Sequence, residues 1–318
     1  MANEIIGAKS YLHLLSESTW GVNPDDSSGS GGSTDFLQCP VDEYSVRFRP
    51  EVRQANPFIG IYQRKHSKNF RGLPSGTLRT ALYGAAPPGG STSLAEYLMD
   101  WGFESQESDA LPSKTAIWAE GPDVANSEHN GLRVGAATLS GSDDTGFCEL
   151  SLDLMGQTED AQGGAPAVPT NRDQLQEMEF KDATFKLAGS TIALKSFSLA
   201  LTRGLTPHYL NSFTPTHLFP GDYSMTLQMV IAKNSTTYDI IRRQSTLDTR
   251  TGEIVLLGLH NSTLTNSSTK VTISFDRLVT VDADDDRARD NLNFQTLNFF
   301  VTKPDTANNG FRTAWTTV

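Results

Sequence analysis

The chain has 318 residues, 37% of them hydrophobic and 20% charged, with a formal net charge of −11. That leaves room for two cores of about 150 residues each. It excludes a membrane helix, for which no stretch reaches the ~20 apolar residues needed. Two cysteines, Cys39 and Cys148, also exclude a disulfide scaffold or a cysteine-ligated zinc site.

The acid excess is uneven: residues 1–160 carry 22 acids and 11 bases, and residues 161–318 carry 15 of each. Such a chain lacks the clustered Lys and Arg that phosphate contacts require, although an acidic surface suits a path that nucleic acid must travel without sticking.

In chain order, Met1-Ala-Asn-Glu-Ile-Ile-Gly-Ala-Lys lacks a basic start and an apolar run, so no secretory signal is expected. A Gly/Ser run within residues 19–38 reads as a flexible loop or arm. Strand signals recur at 44–49, 77–84, 132–139, 147–154, 179–187, 190–202, 223–232, 253–259, 270–281 and 292–302, most alternating apolar with polar residues. One good helix, Ser93 to Trp101, has Ser93 as its cap with Glu96 three residues on. Its stripe is Leu94, Tyr97, Leu98 and Trp101, and Gly102 is expected to close it. A weaker helix is expected over Thr237-Tyr-Asp-Ile-Ile-Arg-Arg. Residues 161–170, rich in Gly, Ala and Pro, form the expected linker.

The halves resemble one another. Tyr44-Ser-Val-Arg-Phe-Arg and Phe197-Ser-Leu-Ala-Leu-Thr are alternating strands, each followed by a long polar loop. Placing Gly76 on Gly221 sets Leu78, Thr80 and Leu82 on Tyr223, Met225 and Leu227 and keeps the strand phase. A third match sets Phe147-Cys-Glu-Leu-Ser-Leu on Lys270-Val-Thr-Ile-Ser-Phe. Either two β-sandwiches are alike by chance or one β domain has been duplicated, which would halve the chains needed to close a ring. The expected fold is mainly β: two tandem sandwich or barrel domains, 1–160 and 171–318, each flanked by a short helix.

No catalytic constellation stands out: nucleophile elbow, phosphate loop, dinucleotide fingerprint and His-Glu-x-x-His pair are all missing. Six scattered histidines, His13, His66, His129, His208, His217 and His260, read as loop residues, solvated or locally bonded. The run Asp282-Ala-Asp-Asp-Asp-Arg-Ala-Arg-Asp copies the start of a calcium loop, but Arg287 stands where that loop needs glycine and Asn293 where it needs a bidentate carboxylate. A solvated, self-paired loop is the expectation there, and neither metal nor cofactor is expected. The one basic run, Arg64-Lys-His-Ser-Lys-Asn-Phe-Arg, is either a solvated loop or a contact with an acidic partner such as a neighbouring copy.

Taken in order, several segments resemble the tail tube proteins of long-tailed bacteriophages, in their longer, duplicated form. They are Trp20-Gly-Val-Asn-Pro, the strand at Tyr44, Gly72-Leu-Pro-Ser-Gly-Thr-Leu-Arg-Thr and Tyr97-Leu-Met-Asp-Trp-Gly-Phe. In the second half they are Phe180-Lys-Asp-Ala-Thr-Phe, Phe197-Ser-Leu-Ala-Leu, Phe219-Pro-Gly-Asp-Tyr and Val271-Thr-Ile-Ser-Phe. The likeness spans about residues 5 to 302, and only 104–131 has no counterpart.

The resemblance implies inner strands that join between subunits into a barrel around a channel, rings that stack into a tube, and three duplicated chains per ring. It implies a virion protein whose partners are its own copies and the proteins at the tube ends, with DNA passing through the lumen unbound. Two long loops, 50–75 and 203–220, carry Phe58, Ile59, Tyr62, Arg64, Lys65 and Phe70, and Tyr209, Leu210 and Phe213. Their apolar groups either pack on their own domain or contact the next ring. The Gly/Ser arm and the C-terminal Phe311-Arg-Thr-Ala-Trp-Thr-Thr-Val tail are further docking candidates. A glycan- or receptor-binding sandwich would instead expose Trp118 or Trp315, and a hydrolase would need a carboxylate pair that nothing distinguishes among 37 acids.

Overall fold

The computed structural model describes residues 11–22, 37–55, 66–84, 94–103, 111–119, 126–162, 177–232, 249–258, 269–285, 294–302 and 311–317, and structural statements concern these residues. They are mainly β. In the first half stand β1 (Tyr11–Ser16), β2 (Leu37–Cys39), β3 (Glu43–Tyr44), β4 (Arg47–Ala55), β5 (His66–Ala81), α1 (Leu94–Phe103), β6 (Lys114–Ala119), β7 (Asn126–Ser142), β8 (Cys148–Met155) and β9 (Thr158–Gln162). The second half supplies β10 (Glu179–Leu187), β11 (Ser190–Ile192), β12 (Leu194–Arg203), β13 (Thr206–His208), β14 (His217–Phe219), β15 (Tyr223–Ala232), β16 (Thr249–Gly258), β17 (Thr269–Asp285), β18 (Phe294–Val301) and β19 (Phe311–Thr317). The expected second helix, 237–243, and most of the linker lie outside the described residues.

Each half pairs its strands in the same antiparallel pattern. In the first, β3 and β4 lie on β5, β5 on β8 and β8 on β7, while β2, β1, β6, β7 and β9 make a second sheet. In the second, β12, β15, β18 and β17 repeat the first set, and β11, β10, β16, β17 and β19 the other. The long strands β7 and β17 each belong to both sheets. Each carries an irregularity where it changes partner: opposite β8 between Val134 and Ala136, and opposite β18 between Thr280 and Asp282. An extra residue at such a point bends and twists the strand, which is how one strand can serve two sheets.

These registers correct two of the sequence matches. Tyr44 faces Leu78, which faces Leu152, and Phe197 faces Met229, which faces Leu297. Tyr44 on Phe197 therefore holds, but Leu78 corresponds to Met229 and not Tyr223. An even slip of this kind keeps the alternation, so phase alone could not expose it. The third match fails outright, because β8, which starts at Cys148, occupies the place of β18, whereas Lys270 lies on β17, the counterpart of β7. Gly76 and Gly221 nonetheless share a cause. A Cβ on Gly76 would stand 2.5 Å from the Ser45 backbone, and one on Gly221 2.7 Å from the Gly204 carbonyl oxygen, so each glycine allows a close approach of the backbone to an earlier segment.

The halves are joined through their sheets. β7 pairs with β12 from Ala136↔Thr202 to Ser142↔Ser196, giving a continuous ribbon β4–β5–β8–β7–β12–β15–β18–β17. One ribbon face presents Leu78, Leu152, Ala137, Leu201 and Met225 to the core, and the buried residues of both halves form a single cluster. Burying that apolar face is the main stabilising term. α1 lies on it through Leu94, Leu98, Met99, Trp101 and Phe103. Gly102 continues the helix rather than ending it. A Cβ there would approach Leu152 Cδ2 to 2.9 Å, so the glycine allows the helix to sit down on β8. Across the halves, the Arg203 guanidinium donates to the Gly102 carbonyl (3.4 Å) and that of Arg133 to the Leu218 carbonyl (2.8 Å). The C-terminal tail pairs on its own β17, Phe311 to Phe275 through Thr317 to Thr269, rather than standing free as an arm.

Candidate assembly surfaces

The loop expected over 50–75 is largely a β-hairpin, with Arg47–Ala55 running against His66–Ser75. Pro50 and a polar composition mask the alternation there. Phe58, Ile59, Tyr62, Arg64 and Lys65 lie outside the described residues. The second loop folds into the small hairpin β13–β14. The two meet: Gly72 N–H donates to the Phe213 carbonyl at 2.9 Å, and the Arg71 guanidinium carbon lies 4.9 Å from the Tyr209 ring and 5.5 Å from the Phe70 ring. Arg71 is itself held by Glu51, Nε to carboxylate 2.5 Å. Phe70, Tyr209 and Phe213 thus come together although some 140 residues separate them in sequence. Leu210 and Phe213 remain 71% and 66% exposed and Phe70 45%. Contiguous exposed apolar side chains of this kind mark an interaction surface.

The ribbon face away from the core is mainly polar, although Phe300, opposite Thr226, is exposed on it. Thr77, Ser151, Thr138, Ser198, Gln228 and Asn298 stand on it, tied by Thr77 Oγ1 donating to Asp153 (3.1 Å), Gln228 Nε2 to Asn298 Oδ1 (3.0 Å) and the Arg79–Glu149 ion pair (3.6 Å). In its first-half portion Arg47, Arg49 and Arg79 stand with Glu43, Glu149 and Asp153. The acid excess of residues 1–160 is therefore not concentrated on these strands.

Five histidines depart from the loop expectation, since His13, His66, His129, His208 and His217 all lie in strands, and His260 is outside the described residues. Two of them, His13 in β1 and His129 in β7, are buried, 3% and 1% exposed. His129 Nδ1 shares a hydrogen bond with the Tyr44 hydroxyl (2.9 Å), and its Nε2 lies 3.7 Å from Glu159, whose carboxylate also accepts the Phe48 N–H. Burial lowers the His129 pKa, against the pull of Glu159. Burial, and then the Glu159 charge, raise the Tyr44 phenol well above its usual value. A phenol held protonated is a poor nucleophile. The set instead ties the β3–β4 edge to β7 and β9.

Nearby, the Glu17 carboxylate accepts from Gly131 N–H (2.7 Å), Gly21 N–H (2.9 Å) and Thr115 Oγ1 (2.8 Å). Trp118 is half-buried and stacked on Tyr44 at 5.4 Å, so it does not present an open ring for a sugar. Asp282–Asp285 are extended in β17 rather than looped, opposite Asn298 to Gln295 of β18. Among the described residues, no helix is long and apolar enough to cross a membrane.

A family model described as phage tail tube protein matches residues 7–301. No curated protein matches the chain.

Proposed function

Because this chain belongs to the phage tail tube protein family, a structural component of the virion tail, we propose that it assembles with itself into stacked rings of three chains with pseudo-sixfold symmetry. The observation that carries this reading is the β7–β12 joint, where two copies of one pairing pattern already join sheet to sheet within a chain. Three chains repeating such a joint would close a barrel of six units and leave no ribbon edge exposed to uncontrolled pairing. In this reading the units are residues 1–160 and 171–318, with 161–170 between them. The Ser/Thr/Asn/Gln-rich ribbon face lines the lumen, where a surface of matched charge lets DNA pass without holding it. The cluster of Phe70, Tyr209, Leu210 and Phe213, with Phe58, Ile59, Tyr62, Arg64 and Lys65 of the same two connections, contacts the next ring. Other tail proteins start and end the tube, which is built from chains made in the host cytoplasm, and the role requires neither cofactor nor catalysis.

Negative-stain electron microscopy of the concentrated protein, with mass measured by light scattering, tests the reading. Hollow tubes or stacked rings of three-chain mass are expected. Six-chain rings would overturn the stoichiometry, and a stable monomer at all concentrations would overturn the assembly.

A further inference from the structure

The internal joint predicts the joint between copies in residue-level register. In each half the long strand carries the same irregularity, so Ala136 of β7 and Asp282 of β17 are equivalent: Ala136 faces Asp153 of β8, and Asp282 faces Asn298 of β18. Beyond that point β7 has β12 on its other side, while β17 from Asp282 to Asp285 has no second strand partner among the described residues. The other edge follows in the same way. Tyr44 occupies the place of Phe197, so Arg47, Phe48 and Arg49 occupy those of Ala200, Leu201 and Thr202. β4 pairs on one side only, with β5, among the described residues. Within the chain Ala136 faces Thr202, Ala137 faces Leu201 and Thr138 faces Ala200.

Carried over, this register sets Asp282 opposite Arg49, Ala283 opposite Phe48 and Asp284 opposite Arg47 of the neighbouring copy. Both arginines are exposed on the isolated chain. Resting on the ring-forming reading above, we propose that β17 and β4 of successive copies pair antiparallel in this register, held by an acid–arginine clasp.

The charge pattern explains what the internal joint does not need. There the equivalent positions are Ala136, Thr138, Ala200 and Thr202, all uncharged, because one covalent chain already limits which strands meet. Between separate copies, two aspartates facing two arginines select the register: a slip by two residues leaves one acid and one arginine unmatched. Repulsion also prevents β17 from pairing with β17, or β4 with β4. Apolar matching is kept at Ala283 and Phe48 and ends at Asp285, which stands where β7 has Leu139. In the isolated chain Glu159 accepts the Phe48 N–H, and β17 backbone carbonyls take its place on assembly. The acidic run at 282–285 thus gains a role as half of a docking edge.

The test is a charge swap on the full chain. Arg47→Asp with Arg49→Asp, and separately Asp282→Arg with Asp284→Arg, should each raise the concentration needed for ring formation about ten-fold or more, the equivalent of ~1.4 kcal/mol. Combining all four should restore assembly. Circular dichroism establishes that each variant folds, and Arg47→Gln with Arg49→Gln serves as a milder second variant. Cysteine pairs read the register: Arg47→Cys with Asp284→Cys should give covalent multimers on a non-reducing gel, and Arg47→Cys with Asp282→Cys should not. Wild-type rings with unaffected charge variants, no rescue, or cross-linking in another register would overturn the clasp and leave the ring reading standing. A wild-type chain that never forms rings would overturn both.

Discussion

His13 shows how a single residue's environment sets a property of the whole chain. Its neighbours in β1, Tyr11, Leu12 and Leu14, are buried too, and burial lowers its pKa from 6.5 to about 4. The unfolded chain takes up the proton near pH 6.5 and the folded chain resists it until about pH 4. Stability that is full above pH 6.5 is therefore lost as pH falls through that window and levels off below it. The loss from this group is about 3 kcal/mol. Urea unfolding across pH should show His13→Leu losing less stability than wild type between pH 6.5 and 4, by an amount of that order. Cys148 follows the same rule with the opposite sign: burial pushes its thiol up to about 12, so it stays a neutral, small core residue, as its place in an alternating strand suggests.

Between elements, the contacts that matter most join the two halves. Arg203, at the end of β12 and 4% exposed, supplies a donor to the α1 carbonyl of Gly102, so a second-half strand satisfies the end of a first-half helix. Arg203→Leu should cost about 1–3 kcal/mol in chemical denaturation, because the carbonyl is left buried without that donor. A coupled fold should lose this stability in one transition, since no boundary separates the core cluster. Met178, whose N–H donates to the Leu82 carbonyl (2.7 Å) and whose carbonyl accepts from Cys148 N–H (2.9 Å), ties the chain after the linker back onto the first half in the same way.

For the whole molecule, assembly is the property to test beyond the ring itself. The exposed Leu210 and Phe213 stand beside Phe70 where the two long connections meet. If this cluster seats on the next ring, Leu210→Ser with Phe213→Ser should leave fold and ring mass unchanged while shortening or abolishing tubes in electron micrographs. Tubes of unchanged length would return those side chains to a role on their own chain. The charge swap at the β17–β4 edge acts on ring closure instead, so the two sets of variants separate lateral from axial contacts.

The mainly β class, the positions of most long strands, the first helix and the likeness of the Tyr44 and Phe197 strands are legible in the sequence. These are local matters of alternation, capping and turn composition, and the Tyr44–Phe197 match is visible because both strands keep a clean period of two. The sequence did not determine register. A two-residue period looks the same after any even slip, so phase alone allows Leu78 on Tyr223 as well as on Met229, and it allows β8 on β17 because alternating strands share one pattern. Within 104–131, β6 finds its counterpart in β16 only through pairing: Lys114 and Ala116 flank an irregularity against β7 just as Arg250 and Gly252 do against β17. The meeting of Phe70 with Phe213, the burial of His13 and His129, and the edges that β4 and β17 leave unpaired among the described residues likewise follow from the tertiary structure. Each depends on residues far apart in the chain, and only the closed sheet brings them together.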